Sequence, residues 1–212
     1  MATTSRPRPP NGETDHGTLA DTRARLLAAA ARVYAQYGYA GATTRLIARE
    51  ADVNEVTLFR HFRSKDALVD EAVRVHTTGE VPVASLPSVP VDPEGELAAW
   101  CANEVQRLRS SGELVRQCFA SAEEHPEHLR EVTAGITHSA DVVREYIGRL
   151  MERGRVAYPE HAEAATAMLV AVLLSDGLAR EQMPGVYPRS AEGAPVAYVR
   201  AFLAALGVPA RP

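Results

Sequence analysis

Between Thr43 and Phe62 the chain fits two short helices around a tight turn, and this spacing constrains the fold more than any other feature of the sequence. Thr43 and Asn54 are both residues whose side-chain oxygen can cap a helix start by accepting a backbone N–H from the first turn. The first of these helices runs from about Thr44 to Ala51 and the second from about Glu55 to Phe62. Helices this short are unstable alone in water, so both must pack on something else. Ile47, Ala48, Val53, Leu58 and Phe62 supply the inward positions. A preceding helix supplies the surface: it begins at Asp21 or Thr22, carries Leu26, Leu27, Ala30, Val33, Tyr34 and Tyr37 at helical spacing, and ends at Gly38 and Gly41.

A fourth helix begins at Lys65, with Ser64 as its cap, and fades near Gly79. Lys65 is the only lysine; the other 22 basic residues are arginines. A cation at a helix N-terminus is disfavoured by the macrodipole by a few tenths of a kcal/mol. It makes sense if an anion docks beside it, and helix N-termini bind phosphate. Lys65 is therefore read as a phosphate contact. On the third helix Glu55, Val56, Thr57, Arg60 and His61 remain outward, with Phe59 at the margin. Thr and Arg suit hydrogen bonds to base edges or phosphates, and Val can touch a thymine methyl. Glu55 either accepts from a cytosine amine or only complements the helix N-terminus electrostatically.

The net charge of −4 at first argues against a nucleic-acid partner, but the distribution matters more. Residues 1–80 carry 11 basic and 10 acidic side chains, whereas 81–212 carry 12 and 17. Within 43–65 five basic residues face three acidic ones, a local surplus that suits a small docking face. That surplus is too small for sequence-independent binding by charge alone.

The rest of the chain also reads as helix. Residues 1–18 are rich in Pro, Thr and Gly and are expected to be a disordered arm. Residues 19–80 form the first domain, and 81–93 a proline-rich link. Residues 94–207 form the second domain, with helices at about 94–110, 113–124, 126–155, 159–182 and 195–207. Strand alternation is missing throughout. The expected fold is all-α with about nine helices: a three-helix N-terminal domain built on the helix-turn-helix at 43–62, and a larger C-terminal helical domain. The longest apolar stretch, Ala164 to Leu174, is too short to span a bilayer, so no membrane partner is expected. No signal peptide is visible behind Met1-Ala2-Thr3-Thr4-Ser5-Arg6-Pro7. Cys101 and Cys118 stand outside any CxxC pattern and read as reduced thiols of a cytoplasmic protein.

From about Thr22 to Thr78 the chain resembles the tetracycline-repressor (TetR) family of bacterial transcriptional regulators. The residues that carry the resemblance are the threonine pair Thr43-Thr44, Ile47-Ala48, Ala51 and Val53, then Thr57-Leu58-Phe59, His61-Phe62, Ser64-Lys65 and Leu68. The resemblance implies a homodimeric, all-helical repressor of double-stranded operator DNA, working at the nucleoid in the cytoplasm. It also implies a C-terminal domain that binds a small molecule, and release of the DNA on binding. Carried over by position, Thr44, Arg45, Thr57, Phe59, His61 and Lys65 meet phosphates, while Glu55, Val56, Thr57 and Arg60 face bases. Two positions depart from the family pattern. Asp52 stands where the turn usually has Gly; the turn needs a left-handed backbone, which Asp tolerates better than most residues. Phe59 stands where Tyr is usual, so a hydroxyl bond to phosphate is lost.

In the C-terminal half, small residues interleave with larger apolar ones from Ala164 to Gly177, and Val196, Val199, Leu203 and Leu206 form a coiled-coil-like stripe. Two such helices from each subunit make a four-helix dimer interface, with Ala164, Met168, Ala171, Val172, Ser175, Val196, Val199, Leu203 and Leu206 as its candidate residues. The same stripes can instead close the monomer's own core. An effector pocket is expected within 94–180, lined by Trp100, Cys101, Gln117, Cys118, Phe119, His138, Val142, Tyr146 and Asp176, although packing explains each of these residues as well. Glu123-Glu124-His125-Pro126-Glu127-His128 offers metal-binding side chains, yet Pro126-Glu127-His128 recurs as Pro159-Glu160-His161 at another helix start. That repetition favours a helix-start role, and no metal or cofactor is assigned. No nucleophile elbow, phosphate loop or HExxH is present, so an enzyme on a helical bundle is the weaker reading. A thiol- or metal-responsive regulator, or an activator, with the same DNA-binding head is the alternative.

Overall fold

The computed structural model describes residues 19–79 and 85–209. The expected arm at 1–18 and the first part of the expected link lie outside the described residues. Among the described residues there are nine α-helices and no strand: α1 (Leu19–Gly41), α2 (Thr44–Glu50), α3 (Glu55–His61), α4 (Lys65–Arg74), α5 (Pro93–Ser110), α6 (Gly112–Ala120), α7 (Pro126–Glu152), α8 (Ala162–Ala179) and α9 (Ala194–Ala205). A π-helical turn, Val75–Gly79, continues α4, and a 3-10 turn, Pro159–His161, leads into α8.

Local chemistry sets the boundaries in the head, α1 to α4. Gly38 takes φ 67° and ψ −179° and breaks α1 just before its last turn. Only glycine takes that conformation freely. The turn after α2 is a Schellman motif: Val53 N donates to Ala48 O at 2.9 Å and Asp52 N to Arg49 O at 3.2 Å. Asp52 sits at φ 53°, the one non-glycine residue with positive φ among the described residues. The expected left-handed turn is therefore present, with Asp doing what Gly does more cheaply.

Two buried clusters form the core. The first holds Leu26, Ala30, Val33 and Tyr34 of α1, Ile47 and Ala48 of α2, Leu58 of α3, and Leu68, Val69, Ala72 and Val73 of α4. It also takes in Leu114, Val115 and Cys118 of α6 and Val132 of α7, so helices beyond the proline-rich link close the core of the head. The second cluster lies in the body, among α5, the later part of α7, α8 and α9, with Trp100, Tyr146, Ile147, Leu150, Leu173 and Phe202.

Buried ion pairs tie these layers together. Asp176 is 1% exposed. It accepts from Arg109 of α5 at 3.0 Å, from Arg180 at 2.5 and 2.6 Å, and from Tyr198 of α9 at 2.7 Å. Burial works against its charge, but the bonds from Arg180, Tyr198 and Arg109 outweigh it and hold the carboxyl below the usual range. Glu104, also buried, accepts from Arg107 at 2.6 Å and from Ser139 of α7 at 2.5 Å. Arg107 in turn donates to Thr77 O at 2.7 Å, which joins the body to the turn that extends α4.

Two sequence expectations change here. The segment Pro159–Ala179 is long and apolar enough, by length and composition, to cross a membrane. It nevertheless buries Leu169, Val170 and Leu173 against its neighbours and ends in the Asp176 network, which is how a core helix behaves. In α9, Val199 and Leu203 are buried in the protomer's own core, as is Leu206 just past its end, and Val196 is partly buried. The coiled-coil-like stripe packs on α5 and α8, because those helices already cover it. The outward face of α9 carries Ala197, Arg200, Ala201 and Ala204 instead.

Candidate nucleic-acid interface

Each short helix of the head has a side-chain cap. Thr43 Oγ1 accepts from Leu46 N at 3.2 Å, Asn54 Oδ1 from Thr57 N at 2.7 Å, and Ser64 Oγ from Ala67 N at 3.1 Å. Arginines of α1 fix α3 from behind. Arg23 donates to both carboxylate oxygens of Glu71 at 2.6 and 2.7 Å and to His61 O at 3.2 Å, and its guanidinium lies 4.3 Å over the Phe62 ring. Arg25 donates to Ala51 O at 3.3 Å, beside the turn. α3 is thus presented as a rigid ridge rather than a loose segment.

The ridge turns outward what the sequence pattern assigned to it, His61 excepted. Val56 is 79% exposed and Phe59 49%, and Arg60 is exposed, while Glu55 and Thr57 are partly so. An open groove of about 1450 Å³ runs along it, lined by Thr43, Arg45, Arg49, Glu55, Thr57 and Arg60, with Thr22 and Arg25 from α1. Four arginines against Asp52 and Glu55 make the groove cationic. Arg25 and Arg49 were not among the residues expected from sequence. The Arg45–Arg49 spacing was the available signal, since like charges at i, i+4 repel unless an anion lies between them. Thr44 is partly exposed and Arg45 exposed.

Two expected phosphate contacts look different in three dimensions. Lys65 Nζ donates to Tyr39 O at 2.5 Å and lies 4.0 Å from the centre of the Tyr39 ring, while the Tyr39 hydroxyl donates to Asp66. The misplaced charge at the start of α4 is therefore already offset within the protein, and two of the three ammonium donors remain for an anion. His61 is a correction. Its Nε2 is buried without a hydrogen-bond partner, and burial, then Arg60 and Arg23, hold the imidazole below its ordinary value. That nitrogen packs inward and does not reach a phosphate in this arrangement.

The expected effector residues do not come together. Trp100, Cys101 and Tyr146 share the body core, with Val142 packed against it. Cys118 lies in the other cluster, Gln117 sits under Gly38, Phe119 is 44% exposed, His138 is exposed, and Asp176 is spent on its ion pairs. Between α5, α7 and α8 lies a void of about 10 Å³, lined by Glu104, Arg107, Leu108, Ile136, Ser139, Val170, Leu173 and Leu174. Sequence reasoning missed Glu104 and Arg107, whose i, i+3 spacing looks like an ordinary surface pair. Trp100 Nε1 and Thr166 Oγ1 are buried with no hydrogen-bond partner. Burial pushes the Cys101 thiol up to about 12 and the Cys118 thiol up to about 11.

Comparison with known proteins agrees with this geometry. Residues 26–72 match the model of the bacterial regulatory proteins of the tetR family. The HTH-type transcriptional regulator YvkB of Bacillus subtilis is 24% identical over 154 residues, which cover 70% of this chain and 77% of that protein. The HTH-type transcriptional repressor Rv1474c of Mycobacterium tuberculosis is 38% identical over 76 residues, 36% of this chain and 40% of that one. Among solved structures, a transcriptional regulator from Pseudomonas aeruginosa PAO1 superposes with a TM-score of 0.72 at 20% identity, covering 93% of this chain and 96% of its own. A TetR-family regulator from Mesorhizobium loti gives 0.68 at 23% identity, covering 89% and 98%. At such identities these structures speak for the fold alone. The capped helix-turn-helix, the match over 26–72 and the likeness of the whole fold lead to one conclusion: residues 26–72 are a DNA-binding head of the tetR-family type, on a chain that has the fold of TetR-family regulators.

Proposed function

We propose that this DNA-binding regulator is a homodimeric repressor that holds a palindromic operator through two heads and lets go when a small molecule enters the body. In this reading Glu55, Val56, Thr57 and Arg60 face base edges in the major groove. Thr44, Arg45, Thr57 and Lys65 hold phosphates, Phe59 packs against the backbone, and Arg25 and Arg49 add charge to the groove. Phosphate contacts set register and base contacts set sequence. Such a protein works at the nucleoid, in the cytoplasm.

The observation that carries the dimer is the open face of α8. This helix is apolar all round, yet Ala164, Ala167 and Ala171 are exposed and Met168 is 73% exposed. Val172 and Ser175 border that face half-buried. Small residues with one large apolar side chain suit close packing against a second copy of the same helix. A row of alanines on α9 extends the surface on offer. The effector reading rests on Trp100 Nε1 and Thr166 Oγ1, two buried groups with no partner. Each costs about 1–3 kcal/mol unsatisfied. An apolar molecule carrying a hydrogen-bond acceptor satisfies whichever of these groups it reaches, once the body helices part to admit it. Sensing through Cys101 or Cys118 is disfavoured, because both are fully buried and their thiols are pushed up, which leaves little thiolate to react.

Sedimentation with and without operator DNA tests the dimer. The wild-type protein is expected to be a dimer at micromolar concentration, and Met168→Glu to give monomers with operator affinity reduced at least about tenfold. A wild-type monomer that binds the operator as one subunit removes the dimer from the account.

A further inference from the structure

We infer that His125, Glu127 and His128 form a binding site for one divalent transition-metal cation, at the seam where the body meets the head. The two Pro-Glu-His segments look alike in sequence but differ in space. His161 is exposed, and its Nδ1 bonds Ala205 O at 2.8 Å, with Tyr158 as its ring neighbour. At the start of α7, by contrast, two imidazoles stack with centroids 5.2 Å apart, and His125 Nδ1 lies 3.1 Å from Glu127 Oε1. One ligand atom from each of His125, Glu127 and His128 lies within 4.8 Å of the others. Ligand atoms on a zinc tetrahedron are about 3.3 Å apart, given bonds of 2.0–2.1 Å. The trio therefore closes on a cation through side-chain shifts of about 1 Å.

The surroundings of His128 favour the metal-ready tautomer. The ring is 1% exposed; its Nε2 meets Asp70 Oδ1 at 2.9 Å and its Nδ1 meets the Tyr34 hydroxyl at 3.0 Å. A carboxylate on Nε2 keeps the proton there and leaves a lone pair on Nδ1, the outer-shell arrangement common to metal-binding histidines. The Tyr34 hydroxyl has a second partner in Ser121 Oγ at 2.9 Å, so it can release Nδ1 and stay bonded. Two imidazoles, one carboxylate and water in the fourth position fit Zn²⁺, Co²⁺ or Ni²⁺ better than Mg²⁺ or Ca²⁺, which take oxygen ligands. A cation there would rest on α7, with its outer partners on α1 and α4. It would also sit beside Tyr39, whose ring lies 4.1 Å from His125 and whose carbonyl holds Lys65.

Cobalt titration of the full chain tests the site, read by the visible absorption of four-coordinate Co²⁺ and its displacement by Zn²⁺. One equivalent is expected to bind. His125→Ala and Glu127→Gln, both at side chains with some exposure, should remove the band. Asp70→Asn, which keeps a hydrogen bond to His128, should weaken binding about 10–100-fold. His161→Ala should leave it unchanged, and far-UV circular dichroism should show every variant helical. Absence of the band in the wild-type protein under excess Co²⁺, or a band that survives in His125→Ala and Glu127→Gln, overturns the inference.

Discussion

The head and the body of this protein are specified in different ways. In the head, α2, α3 and α4 each begin at a residue that caps the helix with its own side chain, and the turn between α2 and α3 closes through local backbone bonds. In the body, α6, α7, α8 and α9 have no side-chain cap bond. Long-range polar contacts take that place: Asp176 with Arg109 and Tyr198, Arg107 with Thr77, and Tyr146 with Glu96. Local signals fix each short helix of the head, while Arg23 and the packing of α6 and α7 hold those helices together. A unit built from distant pairings can be rearranged by a ligand that competes for them.

The comparison is easiest to break at Asp176. Asp176→Ala leaves Arg109 and Arg180 without their buried partner and is expected to cost about 3–5 kcal/mol, a fall in Tm on the order of 10 °C. The sign with pH follows from the lowered carboxyl: the stability it contributes is full above about pH 4 and is lost as pH falls through the folded value. Thermal melts from pH 7 down to pH 3 should show the gap between wild type and variant narrowing toward the acid end. A variant as stable as wild type at pH 7 means that the body does not depend on this network.

The head answers to a different change. Arg60→Ala touches no core residue, so its Tm should stay put while discrimination between operator and altered operator falls by about 1–3 kcal/mol at the base it reads. Fluorescence anisotropy with single-base operator variants reads this directly. Equal loss on every sequence would make Arg60 a phosphate contact instead.

These differences explain what was legible in the sequence. Thr43, Asn54 and Ser64 announce helix starts within a few residues of themselves, so α2, α3 and α4 came out within a residue or so at their starts. Asp52 was readable as a left-handed turn for the same reason. The inward turn of His61 was not, because its burial depends on α1, through Arg23, 38 positions away. The stripe on α9 was seen but given to the wrong neighbour, since periodicity shows which residues are covered and not by what. The Glu104–Arg107 pair looked like surface charge because its partners, Ser139 and Thr77, lie about 30 positions off on either side.

A smaller effect sharpens the local side of the contrast. Asp52→Gly removes the strain of a positive φ and should raise stability by about 1 kcal/mol, or Tm by roughly 2–4 °C. Differential scanning calorimetry measures it, and an unchanged or lower Tm would show that the Asp52 side chain stabilises the turn in some other way.

The central claim is that the head reads DNA through α3 while the start of α4 holds the backbone. Operator and non-operator affinities of wild type, Arg60→Ala and Lys65→Ala, measured across a salt series, test it most directly. The account predicts that Lys65→Ala weakens both DNAs alike and lowers the salt slope by about one unit, whereas Arg60→Ala narrows the gap between them. An unchanged salt slope for Lys65→Ala, together with an unchanged gap for Arg60→Ala, would contradict it.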